Sequence, residues 1–160
     1  MISLKASEIA HLVGGTLHGE DVVVSANPVI DSRSATKGSL FVAIKGERVD
    51  GHDFVSDAQS QGAVLTLAER AVAGPHVLVK NSIEALGVLA REVRSRLSGL
   101  TVIGITGSQG KTTTKELLAS VLSTVAPTMA PHGNYNNEIG APLSLLQCDE
   151  KTRFCIVEMG

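Results

Sequence analysis

Residues 101–114 constrain this chain more than any other stretch. Val102 to Ile105 form a short apolar run that predicts a buried strand. Gly107, Ser108, Gln109 and Gly110 predict a tight turn, and Lys111 and Thr112 follow it directly. From Thr113 the period changes, because Leu117, Leu118, Val121, Leu122 and Val125 recur at helical spacing. Strand, glycine-rich turn, Lys-Thr and helix together make the architecture of a phosphate-binding loop. Glycines let backbone N–H groups close around phosphate oxygens, and a helix N-terminus adds the positive end of its dipole. Lys111 can reach β- and γ-phosphates as a point charge, and the Thr112 hydroxyl can sit on a nucleotide-bound Mg²⁺. The glycine spacing departs from the common pattern, which places a glycine where this chain has Ile105. The plainer alternative is a glycine-rich turn with a surface lysine. The coincidence of glycines, Lys-Thr and strand–helix context favours a nucleotide, and ATP over GTP because no element reads a guanine base.

The rest of the chain predicts an α/β protein. Helices are expected over residues 6–13, 54–61 (capped by Asp53), from Asn81 through Leu97, and over 143–146 with Pro142 in the first turn. Strands are expected at 22–25, 40–44, 63–66, 77–79 and 154–157. Asn81 followed by Glu84 reads as a capping pair and sets a boundary. Residues 1–82 then form one domain, and 83–160 form the opening of a second built on a mostly parallel sheet. Glu158 follows an apolar strand, where ligands of open α/β sheets bind and where a carboxylate can hold a metal. A sheet of two or three strands cannot cover its own faces, so something else is expected to complete it.

Composition excludes several classes. The chain has 160 residues and a net charge of −2, which argues against nucleic acid held by a broad basic surface. No apolar run approaches membrane-spanning length and no signal peptide is evident. Cys148 and Cys155 have no metal or redox spacing, and reduced, partly buried thiols suit the cytoplasm.

The residues also carry a resemblance. Residues 31–33, 38–46, 50–54, 58–63, 104–115, 134–143 and 158–160 are collinear with the N-terminal part of the Mur ligases, and the variant glycine loop is the one that family uses. The segment from Asn136 to Pro142, with Thr114-Lys115 after the loop, resembles the branch that adds D-alanyl-D-alanine more than the branch that adds meso-diaminopimelate or lysine. The resemblance implies an ADP-forming amide ligase of cytoplasmic cell-wall precursor synthesis. Its substrates are UDP-N-acetylmuramoyl-tripeptide and D-alanyl-D-alanine, and its cofactors are ATP and Mg²⁺. It implies a UDP-substrate domain here, then the start of an ATPase domain. The family's later lysine, histidine and C-terminal domain are not in these residues, so the chain alone is expected to be inactive. The parent enzyme is expected to be a monomer.

The resemblance also implies roles. Gly107, Ser108, Gln109, Gly110, Lys111, Thr112 and Thr113 bind the triphosphate, Lys111 stabilises the transferring phosphoryl group, and Thr112 and Glu158 hold Mg²⁺. Asn136 and Asn137 touch the nucleotide or its metal, with turn capping as the alternative. Ser32, Arg33, Asp50 and His52 contact the UDP substrate. An Asp31–Arg33 loop pair and a turn or capping role for His52 are the structural alternatives. Two other functions stay open: a small phosphate-loop kinase or ATPase, and a non-catalytic UDP-sugar-binding module.

Overall fold

The computed structural model describes residues 1–131 and 138–159. Asn136 and Asn137 lie outside them. The chain divides into two compact units, one spanning Ser3–Leu89 and the other beginning at Ala90.

The first unit opens with strand β1 (Leu4–Lys5), helix α1 (Ala6–Val13), β2 (Thr16–His18) and β3 (Val23–Val24). Helix α1 forms where its apolar spacing predicts, burying Ala6, Ile9 and Ala10. Then come β4 (Ser39–Val42), α2 (Val55–Ser60), β5 (Ala63–Ala68) and β6 (His76–Leu78). The main sheet runs β2-β6-β5-β4, with β4, β5 and β6 parallel and β2 antiparallel to β6. All four residues of β4 are buried, as the continuous run Leu40–Phe41–Val42 requires of a strand covered on both faces. Phe41, Ala43, Val55, Ala58, Ala63 and Ala68 pack as one cluster beneath α2. Small alanines let the helix approach the sheet closely, which suits a core with almost no aromatics.

Three local expectations change. Asp53 does not cap α2. Asp50 instead caps a 3₁₀ turn over Gly51–Phe54, accepting from the His52 backbone N–H, and α2 starts after that turn without a side-chain cap. Two-residue β1 and three-residue β2 are too short to show a period. Strand β5 extends past Thr66 to Ala68.

Helix α3 (Ser82–Arg96) carries the division between the units. The sequence boundary lies at the start of the same helix. Asn81 Oδ1 accepts from the N–H groups of Ile83 and Glu84, and a Glu69 carboxylate oxygen accepts from the Ser82 N–H. Three of the helix's four orphan donors are thus satisfied.

The second unit contains β7 (Thr101–Ile105), α4 (Lys111–Ser123), β8 (Thr128–Met129), α5 (Gly140–Leu146) and β9 (Phe154–Glu158). The sheet is parallel with β9 central, in the order β7-β9-β8. Its centre is buried: Cys155, Ile156, Val157 and Glu158 are sealed between α4 and α5. Strand β7 departs from the expected buried strand, because Val102 and Ile103 are half-buried and Gly104 is exposed. Among the described residues β7 has one strand neighbour, so only part of its surface is covered. Leu117 and Val121 on α4 and Val125 just past its end are 66 %, 62 % and 74 % exposed, while Leu118 and Leu122 are half-buried, so among the described residues only part of the apolar stripe that predicted the helix is covered. Pro142 stands third in α5, inside the first turn, where its missing N–H costs nothing.

Candidate functional site

Strand register brings the site of the second unit together. Ile105, the last residue of β7, pairs with Glu158, the last residue of β9, and the Met159 N–H donates to the Ile105 carbonyl at 2.9 Å. The glycine loop therefore leaves the sheet beside the Glu158 side chain, at the carboxyl ends of parallel strands. Gly107 and Gly110 have φ of 146° and 75°, values that L side chains rarely adopt. An added Cβ at Gly110 would meet nothing within 4 Å. Gly110 is thus selected by backbone conformation, and the space over it is open to a ligand.

Helix α4 begins at Lys111 with Gly110 as its N-cap, and no side chain caps its first turn. Its first N–H groups face the loop without an internal acceptor, the arrangement that favours an anion. The Lys111 ammonium donates to the Gly107 carbonyl, so it lies across the loop rather than out in solvent. Thr112 is half-buried, while Ser108, Gln109 and Thr113 are exposed.

Glu158 is 1 % exposed. Thr112 Oγ1 lies 3.5 Å from its Oε2, too long for a strong hydrogen bond. Lys115 Nζ lies 2.9 Å from Oε1, and Lys115 is itself only 2 % exposed. The ammonium sits off the hydrogen-bonding direction, so Oε1 has a charge partner but no hydrogen-bond donor. A buried carboxylate oxygen with an ionic partner but no hydrogen-bond donor among the described residues is incompletely satisfied, which leaves the carboxylate able to take a further ligand. The sequence reading missed Lys115 as a site residue. Its spacing of three from Thr112, which puts both on one helix face, was the available signal. No group of three or more His, Cys, Asp or Glu side chains able to hold a metal occurs among the described residues. A Thr–Glu pair fits Mg²⁺ held mainly by nucleotide phosphates, since that ion is usually bound through one or two carboxylates plus phosphate oxygens.

The four candidates of the first unit fall into two groups. The Arg33 Nε donates to Asp31 Oδ1 at 2.9 Å and its Nη2 donates to Oδ2 at 2.6 Å. This fork holds the Asp31 carboxyl down to about 2, and Arg33 stays 87 % exposed at its side chain. Ser32 is buried at the start of a 3₁₀ turn capped by Asp31. Asp50 and His52 form a different network. The His52 Nε2 accepts from the Glu69 N–H at 2.9 Å, which leaves Nδ1–H to donate to Asp50 Oδ1 at 2.6 Å. The His52 backbone N–H, and then its ring, hold the Asp50 carboxyl below the usual carboxylate range. Arg70 pairs with Asp53 at 2.7 Å and reaches Asp50 at 3.4 Å. With both ring nitrogens engaged and 7 % exposure, His52 ties the 50–54 turn to the end of β5.

A parallel α/β unit whose first strand runs through a glycine loop into a helix, with an acid at the end of the neighbouring strand, defines a phosphate-loop protein. Residues 26–96 match the family model "Mur ligase family, catalytic domain", and residues 105–160 match "Mur ligase middle domain". The chain belongs to the Mur ligase family. It is 39 % identical over 162 residues to the UDP-N-acetylmuramoyl-tripeptide–D-alanyl-D-alanine ligase of Escherichia coli (strain K12), covering 100 % of this chain and 35 % of that protein. A crystal structure of MurF from Acinetobacter baumannii superposes with a TM-score of 0.89 at 34 % identity, over 100 % of this chain and 36 % of that one. The MurF ligase of Thermotoga maritima in complex with ADP gives a TM-score of 0.71 at 39 % identity, over 84 % of this chain and 32 % of that one. The chain thus spans about a third of the length of the curated relatives it matches.

Proposed function

We propose that this chain supplies the UDP-substrate unit and part of the ATP-binding unit of a ligase that joins D-alanyl-D-alanine to UDP-N-acetylmuramoyl-tripeptide. One observation carries the reading. A carboxylate that is 1 % exposed ends a parallel strand with one oxygen 3.5 Å from the Thr112 hydroxyl, directly beside the glycine loop. In the proposed reaction the tripeptide carboxylate takes the γ-phosphoryl group from ATP, forming an acyl phosphate and releasing ADP. The amine of D-alanyl-D-alanine then attacks the acyl carbon, the C–N bond forms, and phosphate leaves.

Both steps build negative charge at oxygen, and preorganised donors lower that cost. The N–H groups of residues 107–113 cradle the phosphates, and Lys111 swings from the Gly107 carbonyl to the transferring group. Thr112 and Glu158 hold Mg²⁺, which supplies charge neutralisation at the phosphoryl oxygens. In the first unit the exposed Arg33 guanidinium is the group suited to the UDP diphosphate, beside Ser32. Asp50 and His52 serve by shaping the neighbouring turn. Because the reaction consumes ATP, the reading carries a cytoplasmic location with it.

Calorimetric titration with Mg·ATP and with UDP-N-acetylmuramoyl-tripeptide tests the proposal. Binding of both ligands is expected, with Lys111→Ala abolishing the first and leaving the second. Mg·ATP affinity intact in Lys111→Ala would overturn the phosphate assignment. Absence of heat from the UDP ligand at millimolar concentration would overturn the substrate assignment.

A further inference from the structure

The two oxygens of Glu158 have different neighbours on one helix. Oε2 faces Thr112 and Oε1 faces Lys115, residues three apart on α4 and so on one face of it. Lys115 sits one turn below the loop. It is sealed from solvent and placed unlike Lys111, which is half-buried and lies across the loop itself. A buried lysine is uncommon unless it is paired, and here its Nζ is 2.9 Å from the carboxylate. Inside protein the attraction between such charges is several times stronger than in water, so it sets the orientation of the carboxylate. Without it, among the described residues Glu158 keeps one weak hydrogen bond, at 3.5 Å to Thr112, to define its rotamer.

We propose that Lys115 is a positioning residue of the nucleotide–metal site: its ammonium holds one oxygen of Glu158 and turns the other toward Thr112, presenting a hydroxyl–carboxylate pair to a divalent cation. The inference rests on the nucleotide reading above. Lys115 touches neither phosphate nor metal in this scheme and acts only through Glu158. Partners that orient a metal ligand typically contribute 10–100-fold in metal affinity.

The test measures ADP affinity by calorimetry with and without Mg²⁺, and Mn²⁺ binding to the ADP complex by electron paramagnetic resonance. Lys115→Met is expected to weaken Mg·ADP by about tenfold or more, while leaving metal-free ADP close to wild type. Lys115→Arg should recover part of the loss. The double variant Lys115→Met/Glu158→Gln carries no unpaired buried charge and should match Glu158→Gln in ADP affinity and Mn²⁺ binding. That comparison decides the question even if Lys115→Met alone fails to fold. Equal weakening of ADP with and without metal would show a direct charge effect on phosphate and overturn the proposal. So would unchanged Mg²⁺ dependence in Lys115→Met, or a double variant weaker than Glu158→Gln. If the wild-type chain binds neither ADP nor Mg·ADP, the nucleotide reading falls and this inference with it. If wild type binds both and only the Lys115 results fail, the nucleotide reading stands.

Discussion

Single side chains in this molecule divide by whether their charge is sealed. The Asp31–Arg33 fork is exposed, so solvent screening leaves it only a small contribution to stability despite two short hydrogen bonds. Because the Asp31 carboxyl is held down to about 2, its stabilisation is fully present above the ordinary aspartate range. It is lost as pH falls from near 3.8 through 2. Asp31→Asn should therefore destabilise only slightly at neutral pH, and the difference from wild type should vanish as pH falls through about 2, read by urea denaturation at each pH. The Lys115–Glu158 pair behaves oppositely. Removing one buried partner strands the other, so Lys115→Met should cost about 3–5 kcal/mol of unfolding free energy, and the neutral double variant should recover most of it. Cys148 and Cys155 are sealed thiols. Their mutual hydrogen bond, followed by burial, pushes the Cys155 thiol well above its usual range, and the same bond pulls Cys148 down. Both should resist a thiol reagent in native protein and react at once in denaturant, because attack needs an exposed thiolate.

The elements follow from local patterns to different degrees. Helix α1 and the cap of α3 were legible because apolar spacing and a short polar side chain act within one or two turns. Asn81→Ala should destabilise by about 1 kcal/mol in thermal or chemical unfolding, since two N–H groups lose their acceptor. The wrong cap at α2 has a local cause as well. Asp50 and Asp53 both stand before an apolar run, and only the 3₁₀ turn between them decides which N–H groups are free to be capped. Strands β1 and β2 escaped because two or three residues carry no period. The roles of Asp50 and His52 were equally hidden: the Glu69 N–H that fixes the His52 tautomer is 17 residues away in sequence.

At the scale of the whole molecule, each unit has its own sheet and its own buried residues, and the candidate phosphate site belongs to the second alone. Ligand that binds only folded protein stabilises by about 2.7 kcal/mol at a hundred times its dissociation constant. Saturating Mg·ADP should thus slow amide hydrogen exchange across β7, α4 and β9, leaving β4 and β5 at their ligand-free rates. Equal slowing in both units would contradict a site confined to the second. The exposed Leu117, Val121 and Val125 form an apolar stripe on this unit, and a hydrophobic dye is expected to fluoresce on it, with Leu117→Glu/Val121→Glu lowering the signal.

By itself the sequence determined the glycine loop, the lysine and threonine after it, and an acid closing a later strand. These are written in glycine placement and in the switch of hydrophobic period, which act over a few residues. Tertiary structure alone decided what surrounds that acid. Only the parallel register of β7 with β9 sets Glu158 beside the loop, and only packing of α4 on β9 brings Lys115 against it from 43 positions away in the chain. Contacts of that kind depend on how elements dock, and no spacing within either element encodes them.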